Sequence, residues 1–209
     1  LAALYIGGGT PTSLSDVQLD ALLGHIGSIF PLEKLPEFTV EAGRPDSITR
    51  EKLLVLKKYG VSRISINPQS MQQKTLDAIG RHHSVEEIYT AFKMARELGF
   101  DNINMDIILG LPGENLADLQ DTLEKIEQLA PESLTVHSLA IKRASKLNRS
   151  NIQAVDPALA QEMNEAARAK ALKMGLEPYY LYRQKSIAGN LENTGYAQKG
   201  KEGIYNVLI

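Results

Sequence analysis

Along the chain, short apolar stretches alternate with longer segments whose apolar residues recur every three or four positions. Leu19, Leu22, Leu23, Ile26 and Phe30 keep helical spacing, and Ser15 with Gln18 three residues on forms a capping box that predicts where this helix begins. Ser84 and Glu87 repeat the device ahead of Ile88, Ala91, Phe92, Ala95 and Leu98, and Gly99 is placed to close that helix. Further helices are predicted from Arg50 to Tyr59, stopped by Gly60, from Leu116 to Leu129, and from Pro157 to Met174. The last carries Asp156 as N-cap, Pro157 at its first position and Gly175 as its stop. Strand candidates lie at Leu1–Ile6, Phe38–Glu41, Arg63–Asn67, Asn102–Ile107 and Leu134–Leu139, with later apolar runs at Tyr179–Tyr182 and Ile204–Ile209. The succession strand, helix, strand predicts a parallel sheet of right-handed βαβ units. The polar stretch from Ala188 to Gly203 reads as a mobile loop.

Inside these strands one phase is apolar and the other polar. Phe38 and Val40 alternate with Thr39 and Glu41, Ile64 and Ile66 with Ser65 and Asn67, Ile103, Met105 and Ile107 with Asn104 and Asp106, and Leu134 and Val136 with Thr135 and His137. Parallel strands covered on both faces normally read as continuous apolar runs. An open sheet with helices on both sides would bury these polar groups at several kcal/mol each if unpaired. A closed or partial (β/α) barrel gives the polar phase a ligand cavity to face, so the predicted fold is α/β, a partial TIM-like barrel around a parallel sheet. Its site belongs at the C-terminal strand ends, where Gly7 to Thr10, Glu41, Gln69 and Asp106 fall. The run Gly7, Gly8, Gly9, Thr10, Pro11, Thr12 leaves the first strand as bare backbone, which suits either an ordinary turn or a ligand-facing one.

Composition narrows the function classes. The chain has 209 residues, 43% hydrophobic and 23% charged, with a net charge of -2. That balance offers no basic field to nucleic acid or an anionic membrane, so neither is expected as a partner. No apolar stretch approaches the ~20 residues of a membrane helix and no signal-peptide pattern opens the sequence, which predicts a cytoplasmic protein. Leu1 and Ile209 both lie within apolar runs, as expected of a segment cut from a longer chain. There is no cysteine, hence no disulfide and no thiolate ligand for zinc or an iron–sulfur cluster. His82 and His83 are adjacent and point apart, with no third ligand at metal spacing, so no metal site is expected. His137 reads as a hydrogen-bonded residue of the inner face, and Tyr179, Tyr180 and Tyr182 as sheet packing.

Five segments carry a family resemblance when taken in order: GGGTPT after the first strand, TVEAGRPD at Thr39 to Asp46, RISINPQSM at Arg63 to Met71, GRHH at Gly80 to His83 and NMDIILGLPGE at Asn104 to Glu114. Together they resemble the oxygen-independent coproporphyrinogen III oxidase (dehydrogenase) family of radical S-adenosylmethionine enzymes, over most of the chain up to about Arg143. The tail, with YYLYRQKS and GKEGIYN, is similar to the haem-synthesis branch of anaerobic bacteria. The resemblance implies two cofactors, S-adenosylmethionine and a [4Fe–4S] cluster whose cysteines, in a CxxxCxxC loop, would lie outside this segment. Residues 1–209 would then be a fragment of the radical core domain, with 176–209 starting a C-terminal extension, and inactive without the missing part. By the same resemblance Gly8, Gly9, Thr10, Glu41, Gln69, Arg81, Asp106 and Ala140 would bind S-adenosylmethionine. The family usually has Gly-Val-Gln where this chain has Asn67, Pro68 and Gln69.

The reaction implied is oxidative decarboxylation of the propionates of coproporphyrinogen III, a hydrogen atom, carbon dioxide and one electron leaving each propionate as it becomes vinyl. The partners implied are that porphyrinogen and an electron donor. Arg44, Lys142, Arg143 and Arg183 are candidates to meet substrate carboxylates. Two other functions fit the same residues: a haem-binding chaperone of the same family without oxidase activity, and an unrelated barrel enzyme clamping phosphate with its GGGT turn.

Overall fold

The computed structural model describes residues 1–139, 155–183 and 191–208. Among them seven strands form one curled sheet in the order β1-β2-β3-β4-β5-β7-β6. They are β1 (Ala3–Ile6), β2 (Glu37–Gly43), β3 (Arg63–Gln69), β4 (Ile103–Leu109), β5 (Ser133–Ser138), β6 (Glu177–Tyr182) and β7 (Asn193–Ala197). Strands β1 to β5 pair in parallel, as the βαβ succession predicts, while β7 pairs antiparallel with both β5 and β6. The result is a half-barrel, mostly parallel and finished by an antiparallel hairpin.

The helices are α1 (Asp16–Ile29), α2 (Arg50–Lys58), α3 (Gln73–Ala78), α4 (Val85–Glu97), α5 (Leu116–Leu129), α6 (Pro157–Lys173) and α7 (Ile204–Leu208). Both predicted capping boxes form at the expected residues, Ser15 with Gln18 and Ser84 with Glu87. The apolar strand phase packs under the helices as one core: Phe38, Val40, Ile64, Ile66, Ile103 and Met105 are at most 1% exposed, against Leu19, Leu53, Ile88, Leu123 and Met163.

Two expectations fail. The stretch from Ala188 to Gly203 is not a loop throughout, because Asn193–Ala197 is the wholly buried β7. Its polar, glycine-containing sequence hides a strand sandwiched between β5 and β6, where Asn193 accepts the Ser138 N–H at 2.8 Å and the ladders satisfy the backbone. The apolar run Ile204–Ile209 is not a strand: Ile204–Leu208 is helix α7. Buried Glu37, at the start of β2, fixes it there by accepting the backbone N–H groups of Ile204 and Tyr205 at 2.5 and 3.3 Å.

Candidate functional site

The two-residue phase of the strands places the polar side chains on the inner face, as expected. Register sets Glu41 beside Ser65, Ser65 beside Asn104, and Asp106 beside Thr135, so four strands present polar groups at matched heights. They line a cavity of about 450 Å3 together with Tyr5, Arg63, His137, Tyr180 and Tyr182. That volume is within the roughly 300–1,000 Å3 of small-molecule sites.

The inner face is a connected network. The Asn104 amide donates to Asp106 Oδ1 at 2.6 Å and to Ser65 Oγ at 3.0 Å, and accepts from Thr135 Oγ1 at 3.1 Å. His137 Nε2 stands 3.6 Å from Asp106 Oδ2, and its Nδ1 is 3.0 Å from the Tyr182 hydroxyl. Burial alone would raise the Asp106 pKa, but the bond and charge of His137, with the donor from Asn104, outweigh it and hold the carboxyl below its ordinary value. Asp106 is therefore an anion at neutral pH. His137 is the hydrogen-bonded inner-face residue that its phase predicts.

Glu41 accepts a hydrogen bond from Tyr5, whose ring stacks on Tyr205 with centroids 4.5 Å apart. Burial, then the bond to Glu41, pushes the Tyr5 hydroxyl far above its ordinary pKa, so it stays a donor. This pair requires Gly7, where a Cβ would lie 2.6 Å from Tyr5 Cε1 and 2.9 Å from Glu41 Oε2. Tyr180 and Tyr182 do more than pack the sheet: their parallel rings, centroids 6.1 Å apart, form a cavity wall. Tyr179, the third of that run, donates nothing to the cavity and instead accepts from Asn206 at 2.9 Å.

The other expected residues lie at or beyond the C-terminal ends of β1 and β3, and the first of these turns adjoins the cavity where Gly7 abuts the lining residue Glu41. Gly8 takes φ +87°, and nothing lies within 4 Å of where a Cβ would sit on Gly8 or Gly9, so their backbone is open to a ligand. Thr10 packs its methyl 3.5 Å from the Cβ position of Gly43, joining this turn to the end of β2. Gln69 ends β3 with φ 67°, unusual for a residue with a side chain and costing roughly 1–3 kcal/mol. The strain follows a bulge in which Asn67 and Pro68 together face Asp106 alone on β4, which also absorbs the missing N–H of Pro68. Arg81 lies beside the ion pair of Arg44 and Asp46, its pKa lowered by burial and by Arg44. Ala140, Lys142 and Arg143 lie outside the described residues. Arg44 and Arg183 are engaged with Asp46 and Glu192 at 2.7 and 2.8 Å.

Four cavity residues are not among those the sequence points to as a site: Tyr5, Arg63, Tyr180 and Tyr182. Arg63 was readable, because it precedes Ser65 and Asn67 in the same inward phase.

The residues present fit S-adenosylmethionine: open glycine backbone in the turn next to Glu41, two carboxylates on the inner wall for a cationic ligand, and room for a small molecule. They do not fit an iron–sulfur cluster. The sequence has no cysteine, and among the described residues no three metal-ligating side chains converge.

The model of the Radical SAM superfamily matches residues 1–126. The oxygen-independent coproporphyrinogen-III oxidase-like protein HemZ of Bacillus subtilis is 50% identical over 100% of this chain and 42% of its own length. The heme chaperone HemW of the same organism is 34% identical over 99% of the chain and 52% of its own. Among solved structures, the coproporphyrinogen III oxidase HemN from Escherichia coli, a radical SAM enzyme, superposes with a TM-score of 0.79 at 23% identity, covering 99% of this chain and 45% of that one. The chain thus spans about half the length of these relatives, and the unrelated phosphate-clamping barrel is set aside. The chain belongs to the radical SAM superfamily, whose members bind S-adenosylmethionine and a [4Fe–4S] cluster, and within it to the oxygen-independent coproporphyrinogen III oxidase family.

Proposed function

We propose that the protein oxidatively decarboxylates the propionates of coproporphyrinogen III to vinyl groups, in the cytoplasm, with an electron donor as its redox partner. The observation that carries this is the pair of carboxylates, Glu41 and Asp106, on the inner wall of a cavity, with the open Gly8–Gly9 backbone following Gly7, which lies against Glu41. S-adenosylmethionine, when bound, supplies one-electron hydrogen abstraction. The chain's own residues bind and orient. Gly8, Gly9 and Thr10 offer backbone donors and a hydroxyl, Glu41 and Asp106 accept from the ligand's cationic and hydroxyl groups, and Gln69 and Arg81 contact it from the end of β3 and the turn after α3. The hydroxyls of Tyr5 and Tyr182 hold Glu41 and His137 in place, so both ends of the network are oriented before a ligand arrives. Thiolates for the cluster come from outside these 209 residues, which form part of the radical core, with 176–209 leading into a C-terminal extension.

A second reading has its own support. The HemW relative, named a heme chaperone, aligns over 99% of the chain, so haem capture without turnover uses the same half-barrel. Anaerobic incubation of the full-length, cluster-loaded protein with coproporphyrinogen III, S-adenosylmethionine and a reductant separates the two. Carbon dioxide with protoporphyrinogen IX is the expected result. Stoichiometric haem binding with no decarboxylation would replace the first reading with the second.

A further inference from the structure

Arg63 opens β3 on the inner face and is 2% exposed. Its guanidinium is a planar cation that carries five donors. Among the described residues it makes one side-chain hydrogen bond, from Nη2 to Ser133 Oγ at 3.2 Å, while its buried Nε has no partner. No carboxylate lies within ion-pair distance of it among the described residues, although Glu41 and Asp106 share its cavity. Glu41 is engaged by Tyr5, and Asp106 by Asn104 and His137. A buried cation without a counter-charge is costly, and this one lines the cavity while its guanidinium carbon packs 3.5 Å from the Cβ position of Gly203. Arg63 is also the one permanently cationic side chain on the described cavity wall.

We propose that Arg63 is a carboxylate-binding residue, its fork receiving a ligand carboxylate that the wall's own acids are too engaged to supply. The proposal rests on the proposed function, which brings two carboxylate-bearing molecules to this cavity: S-adenosylmethionine through its methionine end and the porphyrinogen through a propionate. The site chemistry is the same for both, and the test tells them apart.

The full-length, cluster-loaded protein and its Arg63→Met and Arg63→Lys variants are titrated anaerobically with four probes. These are S-adenosylmethionine, decarboxylated S-adenosylmethionine, coproporphyrin III and its tetramethyl ester. The expected result is a tenfold or greater loss of affinity in Arg63→Met for one carboxylate-bearing probe, an intermediate loss in Arg63→Lys, and no more than a twofold change for the matching probe without carboxylate. Which pair responds identifies the source. Should Arg63→Met fail to fold, the wild type still decides, since it must prefer one acid to its carboxylate-free counterpart by a similar factor. Equal losses for acid and carboxylate-free probes, or no loss for either acid, overturn the proposal. A wild type that binds S-adenosylmethionine but not coproporphyrin refutes the substrate reading and leaves Arg63 to be judged on the cofactor pair. Binding of neither acid overturns both.

Discussion

An alanine at Gly195 would place its Cβ 1.9 Å from Cε1, 2.3 Å from Cδ1 and 3.0 Å from Cζ of Tyr180. Gly195 sits mid-strand in β7, paired to Thr135 of β5 on one side and to Tyr180 of β6 on the other, so the backbone cannot retreat and the ring must move. Overpacking of this kind costs typically about 1–3 kcal/mol. Against it stands the lower unfolded-state entropy of alanine, worth roughly 0.4–1 kcal/mol, which leaves a net loss of about 1–2 kcal/mol. In a Tyr180→Ala background the obstacle is gone, and the same Gly195→Ala change becomes neutral or slightly stabilising. The two substitutions should therefore couple by about 2 kcal/mol, where unconnected sites add to within roughly 0.5 kcal/mol. Urea denaturation of the wild type, both single variants and the double variant measures this directly. Additive stabilities would refute the flat seating of Tyr180 on Gly195, and with it the tyrosine wall of the cavity.

Two further outcomes follow from buried carboxylates the sequence did not single out. Glu37→Ala removes the acceptor for the Ile204 and Tyr205 N–H groups and for Thr39, so it should cost about 2–3 kcal/mol and free α7, read as urea-midpoint loss and faster amide exchange at 204–206; an unchanged midpoint would contradict the anchoring. At Glu114 burial raises the carboxyl pKa, against the donor from Ser70, so its favourable contribution is present below the unfolded pKa and lost as pH rises through the folded one. Glu114→Gln keeps an acceptor for Ser70 and removes the charge, so it should be more stable than wild type at pH 7, with the gap closing towards pH 4. A wild type more stable at pH 7 would reverse that sign.

The sequence made the inner face legible because strand geometry turns a two-residue phase into a single surface. Thr39, Glu41, Ser65, Asn104 and Asp106 needed only that rule. Helix boundaries were legible for an equally local reason, since Ser15, Ser84, Gly60 and Gly99 act within a turn of themselves. Strand β7 was not legible: Asn193, Thr194 and Gly195 have turn chemistry, and only the flanking strands make them a buried ladder. Helix α7 escaped because its anchor, Glu37, lies far away in the sequence. The strain at Gln69 depends on the register of β3 against β4, which no local pattern encodes.

The central claim is that the inner wall of the half-barrel holds S-adenosylmethionine through Glu41 and Asp106. Anaerobic calorimetry of its binding to the full-length, cluster-loaded wild type and to Glu41→Gln and Asp106→Asn tests it most directly, with iron content measured in parallel. Each variant loses charge-assisted hydrogen bonds worth roughly 1.5–3 kcal/mol, so affinity should fall about tenfold to a hundredfold while iron content stays the same. Wild-type affinity in both variants would contradict the claim and leave the two carboxylates as members of a structural network only.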